Sequence, residues 1–246
     1  MKTNRYQKRF YRDWAKHKDL HLARVVTKET DLEILTNKPL DKKFVEERIR
    51  LYRWQIENYI TRENRFLTSL KPISVELNAP LIVKEMARAA EKANVGPMAA
   101  VAGAIAEFVG KDLLKSGYKD VIIENGGDIF LKTRKARAIG IYAGKSRQWN
   151  KLSLKIKAKD TPVGICTSSG NVGHSLSFGC ADSVVILSKN ASLADAVATA
   201  TANLARTKQD LAFALDFARS IRGVSGVVII LKNDLVSWGS AFEFIR

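Results

Sequence analysis

The sequence predicts an α+β protein with mixed or antiparallel sheets and helices packed against them. Three observations carry this. Residues 151–159, KLSLKIKAK, alternate at period two, as does a shorter segment around Leu32 and Ile34. Between them lie stretches whose apolar residues recur at three- and four-residue steps. Of 246 residues, 46% are hydrophobic and 27% charged, which supplies a core and argues against global disorder. No apolar run reaches the roughly 18 residues that a membrane-spanning helix needs. Cys166 and Cys180 make neither a disulfide framework nor a zinc set. The basic N-terminus has no apolar stretch behind it, so the expected location is the cytoplasm, with both thiols reduced.

Each element has its own signal. Residues 20–35 read as two strands around a turn near Lys28. Asp41 is placed to cap a helix whose apolar residues Phe44, Val45, Ile49, Tyr52, Ile56, Tyr59 and Ile60 recur at three- and four-residue steps. Pro72 and Pro80 bracket a linker-like stretch. An alanine-rich helix from Leu81 is broken at Gly96-Pro97, and a second helix follows up to Gly117. DVIIENGGDIFLK (residues 120–132) is strand, tight turn, strand. ARAIGIYAG continues as a strand. VGICTSSG is a buried strand running into a polar loop, and another strand lies in SLSFGCADSVVILS. A helix over SLADAVATATANLA is expected to take Ser192 as N-cap. One more helix, closed by Gly223, precedes a final hairpin turning at Lys232-Asn233-Asp234. Residues 1–80 are expected to form a basic hairpin and helix packed on a core of residues 81–246.

The net charge is +16, and residues 131–160 hold ten Lys/Arg against one acidic residue. A surplus of this kind favours phosphates, nucleic acid or anionic surfaces. Alternation in 152–157 turns Lys155 and Lys157 outward, where they are expected to border an anion groove. The first residues interleave Arg5, Arg9 and Arg12 with Tyr6, Phe10, Tyr11 and Trp14. A nucleic-acid-binding module therefore stays open as an alternative, although no named RNA or DNA motif is matched.

Three constellations could carry chemistry. In Asn125-Gly126-Gly127-Asp128 two glycines let the backbone turn at positive φ and approach a ligand, and Asp128 and Glu124 could hold a ribose hydroxyl, a ring nitrogen or a metal. The same residues also read as a simple hairpin turn. In Thr167-Ser168-Ser169-Gly170, followed by His174, hydroxyls and a candidate general base share one loop. A serine nucleophile there lacks the G-x-S-x-G spacing. Asp195 and Thr199 are four residues apart on one helix face, two oxygens suited to a hard cation with phosphate oxygens completing its shell. A bland reading, helix-end charge and packing, competes with it. No Walker A or G-x-G-x-x-G cradle is present.

In this order GPMAAVAGAIAE (96–107), VIIENGGDI (121–129), the T-S-S-G loop and ADAVAT (194–199) resemble the ApbE superfamily, the FAD-binding proteins that include the FAD:protein FMN transferases. The similarity runs from about Gly96 to Leu204, and the chain looks closest to a compact branch of that superfamily. The resemblance implies a T-fold-like architecture and a flavin, FAD or FMN, near the glycine turn. The cofactor-binding residues it implies are Asn125, Gly126, Gly127, Asp128, Thr167, Ser168, Ser169 and Gly170. Magnesium would be held by Asp195 and Thr199, and His174 would be the catalytic base or a phosphate contact. The implied activity is FMN transfer or cleavage of the FAD pyrophosphate. Where the transferases carry H-x-x-D-P, this chain reads GHSLSFGCADS, without Asp-Pro. A non-catalytic flavin-binding or scaffold protein in redox or sulfur metabolism is the alternative this departure keeps open. A homo-oligomer is compatible with the sequence, and no membrane partner is expected.

Overall fold

A computed structural model describes residues 17–141, 143, 146, 148–149, 152–169 and 180–245. The N-terminal Arg/aromatic segment, Gly170 and His174 fall outside them. The chain opens with the hairpin β1 (His21–Thr27) and β2 (Thr30–Thr36), turning at Lys28 with φ 51°. In α1 (Lys42–Arg62) the Asp41 carboxylate accepts from Phe44 N, and the stripe from Val45 to Tyr59 is buried as its spacing predicts. After the short α2 (Arg65–Thr68) come α3 (Leu81–Ala93), a 3-10 turn at Pro97–Ala100, and α4 (Val101–Lys115). The helix read from Met98 thus begins as a tighter turn, because Pro97 fixes its entry.

Strands β3 (Val121–Asn125), β4 (Asp128–Lys132), β5 (Arg137–Gly140), β6 (Ser153–Ile156), β7 (Val163–Ser168) and β8 (Ser183–Ser188) follow. Then come α5 (Ala191–Leu204), α6 (Asp210–Ser220), β9 (Val224–Leu231), β10 (Asp234–Gly239) and β11 (Glu243–Ile245). The last strand was not anticipated, since three residues carry no readable period. The N-cap of α5 is Asn190, whose side chain accepts from Leu193 N, and not Ser192. Ser192 is fully buried inside the first turn, so its hydroxyl has no route to a capping position.

Eight strands form one sheet in the order β1-β2-β3-β4-β7-β8-β9-β10, antiparallel throughout. The N-terminal hairpin is continuous with it, because β2 pairs with β3. Alternation then sorts side chains to two faces. Leu32, Ile123, Phe130, Val184 and Ile229 face the helices. Ile122, Leu131, Ile165, Val185 and Ile230 face a second sheet, β5-β6-β11, which covers them with Ile139, Leu154 and Ile156. Burying both faces explains the near-continuous apolar runs of β8 and β9.

The basic segment at 131–160 behaves differently from expectation. Leu154 and Ile156 point inward and Lys155 outward, as the alternation predicts. Several of its described cations are answered within the chain. Arg134 pairs with Asp120 at 2.7 Å, Arg137 with Asp19 at 2.6 Å, and Lys155 and Lys157 with Glu243 at 3.5 and 2.5 Å. Lys155 and Lys157 lie on the outer sheet, across the eight-stranded sheet from the helices. Among the described residues no single helix is long and apolar enough to cross a membrane.

Candidate functional site

The turn between β3 and β4 is a two-residue hairpin in which Asn125 faces Asp128. Gly126 and Gly127 have φ of 71° and 106°, a combination that matches the twist of the flanking strands and favours glycine. Glu124 Oε1 accepts from Gly127 N at 2.7 Å and fixes the loop. Register and alternation divide the neighbourhood in two. Leu32, Asn125, Asp128, Cys166, Ile186 and Val227 are successive cross-strand partners, so their side chains form one row on the helix side. Ser168, two residues beyond Cys166, shares that side. Glu124 and Thr167 lie on the opposite face, and the Thr167 backbone N–H donates to Gly127 O at 3.2 Å.

Helices α4 and α5 close over the row. Both approach without a side-chain spacer. A Cβ on Gly103 would lie 2.4 Å from Ala191 O, and one on Gly164 would lie 2.3 Å from Ala191 Cα. This is why small residues crowd the two helices. Asn125 Nδ2 donates to Ala102 O at 3.1 Å, and the next residue's N–H, on Gly103, donates to Asp195 Oδ2 at 2.8 Å. The glycine turn and the α5 carboxylate therefore meet at the first turn of α4. Helix α5 runs alongside β7 with matching steps. Four helical residues advance about 6 Å and two strand residues about 6.7 Å. With Ala191 against Gly164, Asp195 comes near Cys166, and Thr199 follows one turn further along α5.

The electrostatics reflect burial. Asp195 is pushed up to about 7 by desolvation, partly offset by the N–H groups of Gly103 and Ala102. Asp128 is held well above the usual carboxylate range, first by burial and then by the negative charge of Asp195, with Glu124 adding to it. Burial also raises the Cys166 thiol, and both aspartates add to the shift. That thiol contacts Asp128 and lies 3.3 Å from Ala191 O. Asp128 Oδ1 and Ser168 Oγ are buried with no hydrogen-bond partner. Thr199 is buried and Ser169 half-buried. Among the described residues no group of three or more His, Cys, Asp or Glu is arranged to hold a metal ion.

Sequence reasoning missed Glu107. Its Oε2 accepts from Ala191 N at 2.6 Å and Ser192 N at 3.2 Å, holding the start of α5. The available signal was a lone carboxylate inside the apolar run AGAIAEFVG.

Helices on one face of a long antiparallel sheet and a small sheet on the other define an ApbE-type α+β fold. The chain is similar to the flavin transferase ApbE from Vibrio cholerae (TM-score 0.59, 16% identity, covering 90% of this chain and 98% of that one). It is likewise similar to the apo form of the Pseudomonas stutzeri flavinyl transferase ApbE (TM-score 0.60, 13% identity, 90% and 94% covered). At these identities the likeness is one of fold. The family model described as AbpE bacteria matches residues 12–235, and the chain belongs to that family. Relatives include the UPF0280 protein of Methanococcus aeolicus, 44% identical over 198 residues, 79% of this chain and 80% of that one. The UPF0280 protein of Methanocaldococcus jannaschii is 40% identical over 228 residues, 91% and 92% covered.

Proposed function

We propose that this protein binds a flavin nucleotide, FAD or FMN, together with magnesium, and that it transfers FMN or releases it from FAD by cleavage of the pyrophosphate. The observation that carries the reading is the meeting of Asn125 and Asp195 on consecutive residues of α4, Ala102 and Gly103, with the glycine turn beside them. The flavin-transferase names of the solved proteins with this fold point the same way.

In this reading Asp195 and Thr199 supply hard oxygen ligands from one face of α5. The chemistry of the donors fits magnesium, which keeps several water or phosphate oxygens rather than a full protein cage. When bound, magnesium supplies charge neutralisation at the pyrophosphate and Lewis-acid help to the leaving phosphate. The turn Asn125–Asp128 lets the nucleotide approach the backbone closely. Ser168 and Ser169 line the nucleotide from the end of β7, with Thr167 bracing the turn from the other face, and Gly170, outside the described residues, keeps the cofactor-binding role the sequence assigned it. His174 serves as base or phosphate contact.

The test is equilibrium binding of FAD to the purified full chain with and without magnesium, followed by chromatography for FMN and AMP. Magnesium-dependent FAD binding that is lost in Asp195→Ala is the expected result. FAD affinity that is unchanged by magnesium and by that substitution would overturn the reading. Binding without FMN release would favour the non-catalytic alternative.

A further inference from the structure

We propose that Asp128 is a third protein ligand of the cation held by Asp195 and Thr199, forming a two-carboxylate site that loads a divalent cation before any nucleotide arrives. This rests on the reading above for the place of the cation, and it goes beyond it in ligand set and in order of binding.

The geometry starts from register. Asp128 faces Cys166 directly across the β4–β7 pairing, so its side chain points to the helix layer. The Cys166 thiol is 3.3 Å from Ala191 O, one helical turn before Asp195. From the other side, Asp195 is anchored on Gly103 N while Asn125, the cross-strand partner of Asp128, is anchored on Ala102 O. The two aspartates are thus held toward one space from three directions. Asp195 Oδ2 accepts from Gly103 N, and the Ala102 N–H also acts on this carboxylate. Asp128 Oδ1 is buried without any hydrogen-bond partner, in a residue that is 7% exposed. A buried carboxylate oxygen in that state is unfavourable unless a cation or donor reaches it.

Charge makes the same demand. The charged groups that act most strongly on Asp128 are Asp195 and Glu124, both negative. Two like carboxylates in one dry site are relieved either by a shared proton or by a cation, and one divalent cation balances both when they are ionised. A site neutralised in this way does not need a pyrophosphate to complete its charge, so cation binding precedes nucleotide binding. Two carboxylates and one hydroxyl leave three positions of an octahedral shell for water, and later for phosphate oxygens.

Manganese, as a spectroscopic stand-in for magnesium, tests this on the nucleotide-free full chain by electron paramagnetic resonance titration. Wild-type protein is expected to bind one equivalent. Asp128→Asn is expected to weaken that binding at least about tenfold with an unchanged circular dichroism spectrum. Asp195→Asn provides the reference loss. If the amide disturbs the hairpin, Asp128→Ser carries the same comparison. Wild-type protein that binds no manganese until nucleotide is added overturns the order of binding. Asp128 variants with wild-type manganese affinity overturn the ligand assignment. Either failure leaves magnesium-dependent FAD binding intact, whereas failure of the flavin reading leaves manganese binding intact.

Discussion

Glu107 and Asp195 exchange helix caps. Glu107, on α4, accepts from Ala191 N and Ser192 N at the start of α5, and Asp195, on α5, accepts from Gly103 N at the start of α4. In each helix the capping carboxylate lies four residues beyond the N–H that the other helix satisfies. The two carboxylates are not equivalent. Lys111 Nζ answers Glu107 Oε1 at 2.6 Å, whereas among the described residues no cation pairs with Asp195. One arm of the exchange is closed by a lysine, and among the described residues the other is not.

Glu107→Ala should therefore be costly. It leaves two buried N–H groups at the head of α5 without acceptors, at a cost of roughly 2–4 kcal/mol. Glu107→Gln keeps an acceptor and should lose less. Urea unfolding of both variants measures the difference, and equal losses would show that capping is not what Glu107 contributes.

Two glycines should respond differently to alanine. At Gly103 the added methyl meets the Ala191 backbone oxygen at 2.4 Å, so α4 must lift from α5. A loss of about 3 kcal/mol or more is expected there. At Gly127 the methyl meets Thr167 O at 3.6 Å, an ordinary contact, and the cost is the positive φ alone. That should be about 1–2 kcal/mol. Thermal unfolding of the pair separates packing from backbone conformation.

Stability of cation-free protein should fall as pH rises from 4 to 8. The folded pKa of Asp195 is raised from 3.8 to about 7, so its favourable share is complete below the unfolded value and is lost as pH rises through the folded value. The shift corresponds to an upper limit of about 4 kcal/mol. Denaturant melts across this range should lose part of their slope in Asp195→Asn, with the remainder left to buried Asp128. Manganese or magnesium should restore stability at pH 8.

Reversing Lys155 and Lys157 together to Glu should leave FAD affinity unchanged. Both ammonium groups pair with Glu243 on the outer sheet rather than facing Asp195. A large loss of affinity at low salt would show that the outer sheet faces the ligand.

Limited proteolysis in the stretch before α3 should not free residues 1–70. Five residues of β2, Leu32 to Thr36, pair with Asn125 to Val121 of β3, and Val45 and Ile49 are buried in the core. The nicked chain should elute as one species and separate only in denaturant.

Elements with strong local signals were legible in the sequence. The Asp41 cap, the α1 stripe, the Asn-Gly-Gly hairpin and the alternation in β6 all depend on neighbours within a turn or two. The three-residue β11 depends on a partner brought by tertiary packing, since it pairs with β6, whereas the Asn190 cap is local and lost out to Ser192 only because the helix start was read two residues late. The candidate site divides along the same line. Asp195 with Thr199, and Asn125 through Asp128, were readable as local patterns. The row from Leu32 to Val227 was not, because it is assembled from β2, β3, β4, β7, β8 and β9. For the same reason Thr167 and Ser168 read as one polar loop, although strand alternation sends them to opposite faces. Glu107 escaped notice because its partners lie 84 and 85 residues away.

The close seating of Gly103 and Gly164 against Ala191 constrains the direction of traffic. Where Gly103 and Gly164 meet Ala191, backbone is pressed on backbone and leaves no room for a molecule to slip between the layers there. A visitor to Asp128 and Asp195 has to travel along the strand axes, past the sheet end where the Asn125–Asp128 hairpin, the end of β7 and the Lys232–Asn233 bend come together. Bulky substitutions at that rim should slow arrival and departure together, while leaving the resting affinity almost untouched.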